Sequence, residues 1–108
     1  MSGLFFIIGF PVHPRINPFD FGDQQIYDGQ TAQLACIVPI GDMPIEIGWT
    51  FDGKALSQSV GYRVSQVGPR SSILLIDPVE PSHGGEYTCV AKNPSGNDTH
   101  QATLRVHG

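Results

Sequence analysis

The side chains that could bind a metal ion or transfer a proton are dispersed along the chain. A zinc site needs three or four converging ligands, whereas the four histidines occupy positions 13, 83, 100 and 107. His100 and His107 are an odd number of residues apart, so a regular strand would point them to opposite faces. The acidic segment 20–23 has too few ligands for a calcium loop, and the sequence contains no Gly-x-Ser-x-Gly elbow or other nucleophile signature. We therefore expect no metal, no other cofactor and no enzymatic activity.

Length and charge restrict the kinds of partner that the chain can bind. It has 108 residues, enough for one hydrophobic core, and a formal net charge of −4. This charge excludes the concentrated basic surface that nucleic-acid backbones require, and it leaves no polybasic patch for anionic lipid. No apolar run approaches the ~20 residues of a membrane span. We expect one domain over residues 13–107, preceded at residues 1–12 by a leader, a natural extension or expression-derived residues.

Two cysteines, Cys36 and Cys89, permit a single intrachain pairing. A disulfide between them would indicate an oxidising compartment, and it would add roughly 4 kcal/mol by constraining the unfolded chain. Two buried free thiols in a cytosolic domain are the alternative. Asn97 begins an Asn-Asp-Thr triplet, which is an N-glycosylation sequon and favours a secreted protein. The Asn-Pro-Ser triplet at 93–95 is excluded as a sequon by its proline.

Short stretches of alternating apolar and polar residues, separated by turn residues, recur along the chain. No segment keeps a helical period over three turns, whereas period-two alternation is typical of strands with one buried face. In the two clearest cases, the apolar positions are Ala32, Leu34, Cys36 and Val38, and then Ile45, Ile47, Trp49 and Phe51. Further strands are expected over 62–67, 72–76, 86–92 and 101–106. The sequence thus predicts seven or eight strands and no helix.

The spacing of five core residues predicts how these strands are arranged. Trp49 follows Cys36 by 13 residues and precedes Cys89 by 40, and Tyr87 stands two residues before Cys89. In an immunoglobulin sandwich, the cysteines lie on strands B and F of opposite sheets, and a tryptophan on strand C packs against their disulfide. A tyrosine two residues before the second cysteine bonds back to nearby backbone. With Leu74 at the expected core position upstream, the sequence predicts an all-β, immunoglobulin-like β-sandwich of two antiparallel sheets with one inter-sheet disulfide.

The sequence also resembles a particular family, the intermediate-set (I-set) immunoglobulin domains of the Down syndrome cell adhesion molecule (Dscam) family. The resemblance spans residues 14–106 and is carried by the stretches 14–16, 18–23, 41–45, 70–74 and 87–93. Phe19–Asp23 and Gly41–Ile45 are the more specific stretches, and they indicate the arthropod branch, where alternative versions of certain domains set homophilic specificity. The chain is similar both to the first domain of short chelicerate forms and to the seventh domain of long forms.

One position departs from the pattern of many immunoglobulin domains. They carry an aspartate six residues before the second cysteine, often paired with an arginine at the start of strand D. Here that position is His83. A salt bridge between Arg63 and an acid at position 83 is therefore impossible, and the partner of Arg63 stays open.

Strand parity predicts an apolar patch on one outer face of the sandwich. With Cys36 and Leu74 pointing inward, alternate residues of strands B and E point outward. On the A-B-E-D face we expect an interface made of Gln33, Ala35, Ile37, Arg63, Ile73, Leu75 and Asp77. The same parity gives the other sheet a mostly polar face. An exposed apolar patch on a small domain suggests contact with a partner, and the alternative is cover by a loop or by the apolar run 4–10.

The resemblance and the patch together imply a protein partner, namely a second copy of the chain. We expect an antiparallel homodimer between cell-surface receptors, formed in trans through the A-B-E-D face, with rim charges such as Arg63 and Asp77 setting specificity. The resemblance also implies an extracellular location, within the ectodomain of a membrane-anchored parent protein. A heterophilic immune-receptor domain and a structural spacer domain are the alternatives.

Overall fold

The alternating pattern produces short strands between residues 26 and 107. The computed structural model describes residues 10–56 and 61–108, and within these ranges it contains nine strands and one 3-10 turn. The strands are β1 (Ile26–Tyr27), β2 (Ala32–Ile37), β3 (Glu46–Phe51), β4 (Lys54–Ala55), β5 (Tyr62–Gln66), β6 (Ser71–Ile76), β7 (Gly85–Asn93), β8 (Gly96–Leu104) and β9 (Val106–His107). The 3-10 turn, Pro81–His83, lies between β6 and β7.

The strands form two antiparallel sheets and one short parallel pair. One sheet has the order β2-β6-β5 and the other β4-β3-β7-β8, while β1 pairs with β9 in parallel. Before β1, the chain follows the edge of β2, where the Arg15 amide donates to the Ile40 carbonyl at 3.0 Å and the Asn17 amide donates to the Ile37 carbonyl at 2.9 Å. The N-terminal segment therefore accompanies the first sheet and then crosses to β9, beyond the end of β8. The architecture confirms the predicted immunoglobulin-like sandwich.

The facing sides of the two sheets supply the core, and a disulfide joins them. Cys36 on β2 and Cys89 on β7 are bonded, with an S–S distance of 2.06 Å. Trp49 lies opposite Cys89 in the β3–β7 register, and its indole Nε1 donates to the Ser72 hydroxyl at 2.9 Å. Ser72 in turn lies opposite Cys36 in the β2–β6 register. The tryptophan thus packs across the bridge with its polar N–H satisfied inside the core.

Tyr87 fixes the corner between the 3-10 turn and β7. Its hydroxyl donates to the His83 carbonyl at 2.6 Å and lies 3.1 Å from the Tyr62 hydroxyl. Because the single Tyr87 proton goes to His83, Tyr62 donates to Tyr87. The Phe51 ring packs against Tyr87 with a centroid distance of 4.7 Å. Burial is the main cause that raises the pKa of Tyr87 above its ordinary value, so the neutral form that donates this bond is the stable one.

The structure differs from the sequence expectation in two places. Strand β8 begins at Gly96 instead of residue 101, because a two-residue turn pairs Asn93 directly with Gly96 and continues the hairpin. The apolar pattern did not predict this part of the strand because its inward residue, Asp98, is polar. Asp98 points toward the first sheet, where its Oδ2 accepts a hydrogen bond from the Ile16 amide at 2.8 Å. The sequence predicted no helix, whereas the structure contains the 3-10 turn at Pro81–His83. A hydrogen bond from the Glu80 amide to His83 Nδ1, 2.9 Å long, closes this turn.

Replacing Ser72 with alanine tests the buried contact with Trp49. Ser72→Ala leaves the indole N–H without its acceptor, and we expect the free energy of unfolding to fall by about 1–3 kcal/mol. The matched control is Ser71→Ala, since Ser71 points out of the same strand and its truncation should change stability by less than about 0.5 kcal/mol. Urea denaturation measures both variants. Equal losses would contradict a structural role for the indole bond.

Candidate recognition surface

The registers of β2, β6 and β5 bring the predicted interface residues onto one face. Leu75 lies between Gln33 on β2 and Arg63 on β5, and Ile73 lies between Ala35 and Ser65. Because residues directly opposite each other on neighbouring strands share a face, these two rows form one continuous surface. The side chains that were expected to gather from strands B, E and D are therefore adjacent.

A third row extends the apolar surface to a residue that the sequence analysis missed. Ile37 pairs with Ser71, and the Val67 amide just beyond β5 donates to the Ser71 carbonyl at 2.9 Å. Ile37 and Val67 are 41% and 51% exposed, respectively. Parity could have found Val67, because it is four residues after Arg63 and so falls on the same side of an extended chain. We call the apolar members of this surface the outer patch: Ala35, Ile37, Val67, Ile73 and Leu75.

Polar groups border the outer patch at one end. Asp77 follows Leu75 by two residues on the same face, and its Oδ1 accepts the Thr31 hydroxyl at 3.0 Å. The Asp77 amide donates to the Gly61 carbonyl at 3.1 Å, which extends the sheet by one row beyond β6. Arg63, exposed, has Leu75 and then Gln33 across from it in the register. One charge of each sign therefore stands at this end, and the apolar residues continue to the other end.

His83 occupies the position from which an acid could have paired with Arg63. The His83 ring is buried, with its Nδ1 occupied by the Glu80 amide, and it packs edge-on against Tyr62 at a centroid distance of 4.9 Å. Since Nδ1 accepts a hydrogen bond, the neutral ring carries its proton on Nε2. His83, at the position that holds an acid in many immunoglobulin domains, thus packs against Tyr62. Tyr62 is the neighbour of Arg63 in β5, and its side chain points to the opposite side of the strand. Arg63 remains on the outer face of the sheet.

The second sheet presents a different outer face. Its rows place Glu46 opposite Lys92 and Lys92 opposite Asn97, followed by Gly48, Val90 and Thr99. Opposite charges therefore stand side by side at the end near Asn97. Val90 is half-buried, and Gly48 beside it carries no side chain. The central strands of this face carry one branched apolar side chain, compared with four in the outer patch, whose fifth member is Ala35.

Residues 10–56 and 61–108 contain no group of three His, Cys, Asp or Glu side chains placed to hold a metal ion. No helix in the described parts of the chain is long and apolar enough to cross a membrane. The apolar run 4–10, which the sequence suggested as internal cover for the patch, lies outside the described residues except for Phe10, and Phe10 is exposed.

Comparison with known proteins gives consistent matches over most of the chain. A family model described as the immunoglobulin I-set domain matches residues 19–106. The cell adhesion molecule Dscam1 of Drosophila melanogaster is 35% identical over 97 residues, which cover 89% of this chain and 5% of that protein. The cell adhesion molecule DSCAM of Homo sapiens is 38% identical over 95 residues, covering 88% of this chain and 5% of the relative. The chain therefore spans about one twentieth of the length of these curated relatives.

A solved structure matches over an entire domain. The crystal structure of the Dscam1 Ig7 domain, isoform 5, superimposes with a TM-score of 0.86 at 34% identity. The match covers 91% of this chain and 100% of that one. The sandwich described above is therefore shared along its whole length with a separately crystallised immunoglobulin domain.

The contact between Gly61 and His83 can be tested with a matched pair of glycines. Gly61 has a φ of 88°, and an added Cβ would lie 2.9 Å from His83 Nε2; Gly68 has a φ of 69° and nothing within 4 Å of such a Cβ. Both alanine variants incur the left-handed backbone penalty of roughly 1–2 kcal/mol. We expect Gly61→Ala to lose about 1–3 kcal/mol more, because the buried imidazole must move.

Urea denaturation in a double-mutant cycle measures this difference. In a His83→Ala background the extra loss at Gly61 should disappear, whereas the loss at Gly68 should be unchanged. If Gly61→Ala and Gly68→Ala destabilise the domain equally, His83 does not fill the space beside Gly61.

Proposed function

The chain belongs to the immunoglobulin I-set family, a family of non-enzymatic domains, and is related to the Dscam cell adhesion molecules; on that premise we propose that it is a homophilic adhesion domain. In this proposal the outer patch of one copy binds the outer patch of a second copy on an apposed cell. The relatives are named as cell adhesion molecules, which supports adhesion. The nature of the partner rests on the surface itself.

The observation that carries the proposal is the asymmetry between the two outer faces. Five apolar side chains share the outer face of the β2-β6-β5 sheet. On the outer face of the other sheet, β3, β7 and β8 carry one pair of opposite charges, threonines and a single branched apolar residue. Ile37 and Val67 are exposed, and Ala35, Ile73 and Leu75 are half-buried, so together they form a contiguous, partly exposed apolar surface. Such a surface on a small domain costs free energy in water and is typical of protein contact sites. The β2-β6-β5 face is therefore the better candidate for a partner.

Two-fold symmetry makes a second copy the simplest partner for this surface. In such a contact one patch serves both sides, so apolar residues near the axis meet identical residues and need no complementary charge. Leu75 and Ile73, in the middle strand, suit this position. Arg63 and Asp77, at the bordering end, are placed to meet polar groups of the other copy. Isoforms with altered rim charges would be rejected because charges would remain unpaired.

The disulfide and the size of the sheet support an extracellular location and a weak contact. The Cys36–Cys89 disulfide suits an oxidising compartment, as expected for the ectodomain of a membrane-anchored parent protein. One face of a small sheet offers less area than a standard stable interface, so the affinity of an isolated domain should be weak. Many copies on two apposed membranes would then act together.

Sedimentation of charge variants tests the proposed face. Leu75→Asp should abolish self-association, because an unpaired carboxylate would be buried at the contact. The matched control is Val90→Asp, which replaces a half-buried, outward, branched residue in the middle of the other sheet. Thr88→Asp, on the same strand as Val90, is a second control. Both controls should sediment like the wild type, and thermal unfolding of each variant verifies that the domain is folded.

Two results would contradict parts of this proposal. If Val90→Asp or Thr88→Asp loses association and Leu75→Asp keeps it, the contact uses the other sheet. If the wild type stays monomeric at the highest accessible concentration, isolated-domain homophilic binding fails. Cell aggregation then separates the alternatives, since a heterophilic receptor aggregates only mixed cells that carry its ligand and a spacer aggregates none.

A further inference from the structure

We propose that Asn97 carries an N-linked glycan that covers the outer face of the β4-β3-β7-β8 sheet and leaves the outer patch as the accessible face. The triplet Asn97-Asp98-Thr99 satisfies the acceptor pattern. This inference goes beyond the proposed adhesion function and does not depend on it, because the presence of a glycan can be measured without any partner.

The backbone of β8 presents the triplet in a suitable way. Asn97 and Thr99 are exposed, whereas Asp98 between them is turned toward the first sheet, where it accepts the Ile16 amide. Alternation along the strand therefore puts the acceptor amide and the threonine hydroxyl on the same, outward side. Asn97 is the first residue after Gly96, which closes the turn between β7 and β8. A glycan attached there leaves the inward contact of Asp98 intact.

The surface around Asn97 is one that a sugar chain can cover. Lys92 lies directly opposite Asn97, and Glu46 lies opposite Lys92, so hydrogen-bonding groups of both charges stand next to the first sugar. The following row contains Val90 beside Gly48, where the missing side chain leaves a shallow depression. Sugars combine hydroxyl groups with C–H faces, so they suit a border that is partly charged and partly apolar. The glycan would thus lie over the one branched apolar side chain of this face.

The position of Asn97 gives the two faces different roles. The outer patch belongs to the β2-β6-β5 sheet, and Asn97 belongs to the sheet on the other side of the core. A glycan at Asn97 therefore adds bulk to one face and leaves the opposite face free. This arrangement prevents side-on contact through the second sheet without altering any residue of the patch.

Secretion from a eukaryotic cell followed by intact-mass measurement tests the modification. We expect a glycoform mass that falls to the polypeptide mass after treatment with peptide N-glycosidase, and we expect no glycan on Asn97→Gln or Thr99→Ala. Ser95→Ala is the matched control, because its triplet contains Pro94 and should leave the glycan unchanged. A secreted wild type with the unmodified mass, or a glycan that persists on Asn97→Gln, overturns the proposal.

The two lysines of the sequence provide an internal measure of coverage. Lys92 lies beside Asn97 on the outer face, whereas Lys54 on β4 pairs with the inward Phe51 and therefore lies off that face, at the far end of β3. The quantity to compare is the rate of amine labelling at Lys92 divided by the rate at Lys54. This ratio should be severalfold lower in the glycosylated wild type than in Asn97→Gln. An unchanged ratio overturns the claim of coverage.

Self-association of the two forms separates this proposal from the proposed function. Glycosylated protein and Asn97→Gln should sediment alike, because the glycan lies away from the outer patch. If Asn97→Gln alone self-associates, the glycan blocks the true contact; the proposed face is then wrong and the modification stands.

Discussion

The bond between Cys36 and Cys89 is the constraint on which the remaining contacts depend. It joins β2, a border strand of the first sheet, to β7 in the interior of the second, and Trp49 packs across it with its indole bonded to Ser72. With these residues fixed inward, each neighbour along β2 and β6 must point outward. The outer patch is therefore a geometric consequence of the core, and its members cannot be moved by one register position without exposing the core.

The sequence predicted the fold, and it predicted that alternate residues of β2, β6 and β5 lie on one outer face. Both predictions depend on period-two alternation about a few inward residues. Cys36 and Leu74 set the parity of β2 and β6, and the structure places their neighbours as that parity requires. Positions decided by tertiary contacts escaped prediction. Asp98 breaks the apolar pattern of β8 because its carboxylate is satisfied by a backbone amide 82 residues earlier. Val67 is a different case, because it lies within the strand expected over 62–67 and the parity that placed Arg63 on this face also places Val67 there.

His83 stands where many immunoglobulin domains carry an acid. A carboxylate at that position would be available to an arginine at the start of β5. The buried imidazole instead closes the 3-10 turn through Glu80 and packs on Tyr62. Strand parity places Arg63 on the outer face, opposite Leu75, and position 83 supplies no acid to pair with it.

The path of the N-terminal segment has a consequence for crowded membranes. Open sheet edges invite further strands, and chains that join edge to edge form extended, poorly reversible aggregates. Here the segment around Arg15 occupies the free side of β2, and β1 occupies the side of β9. On the second sheet, the border strand β4 is only two residues long, whereas β5 and β8 are the longer borders. Along β2 and β4, copies brought together by the proposed adhesion would find few free backbone groups, so a contact there would use side chains and could be released when two cells separate.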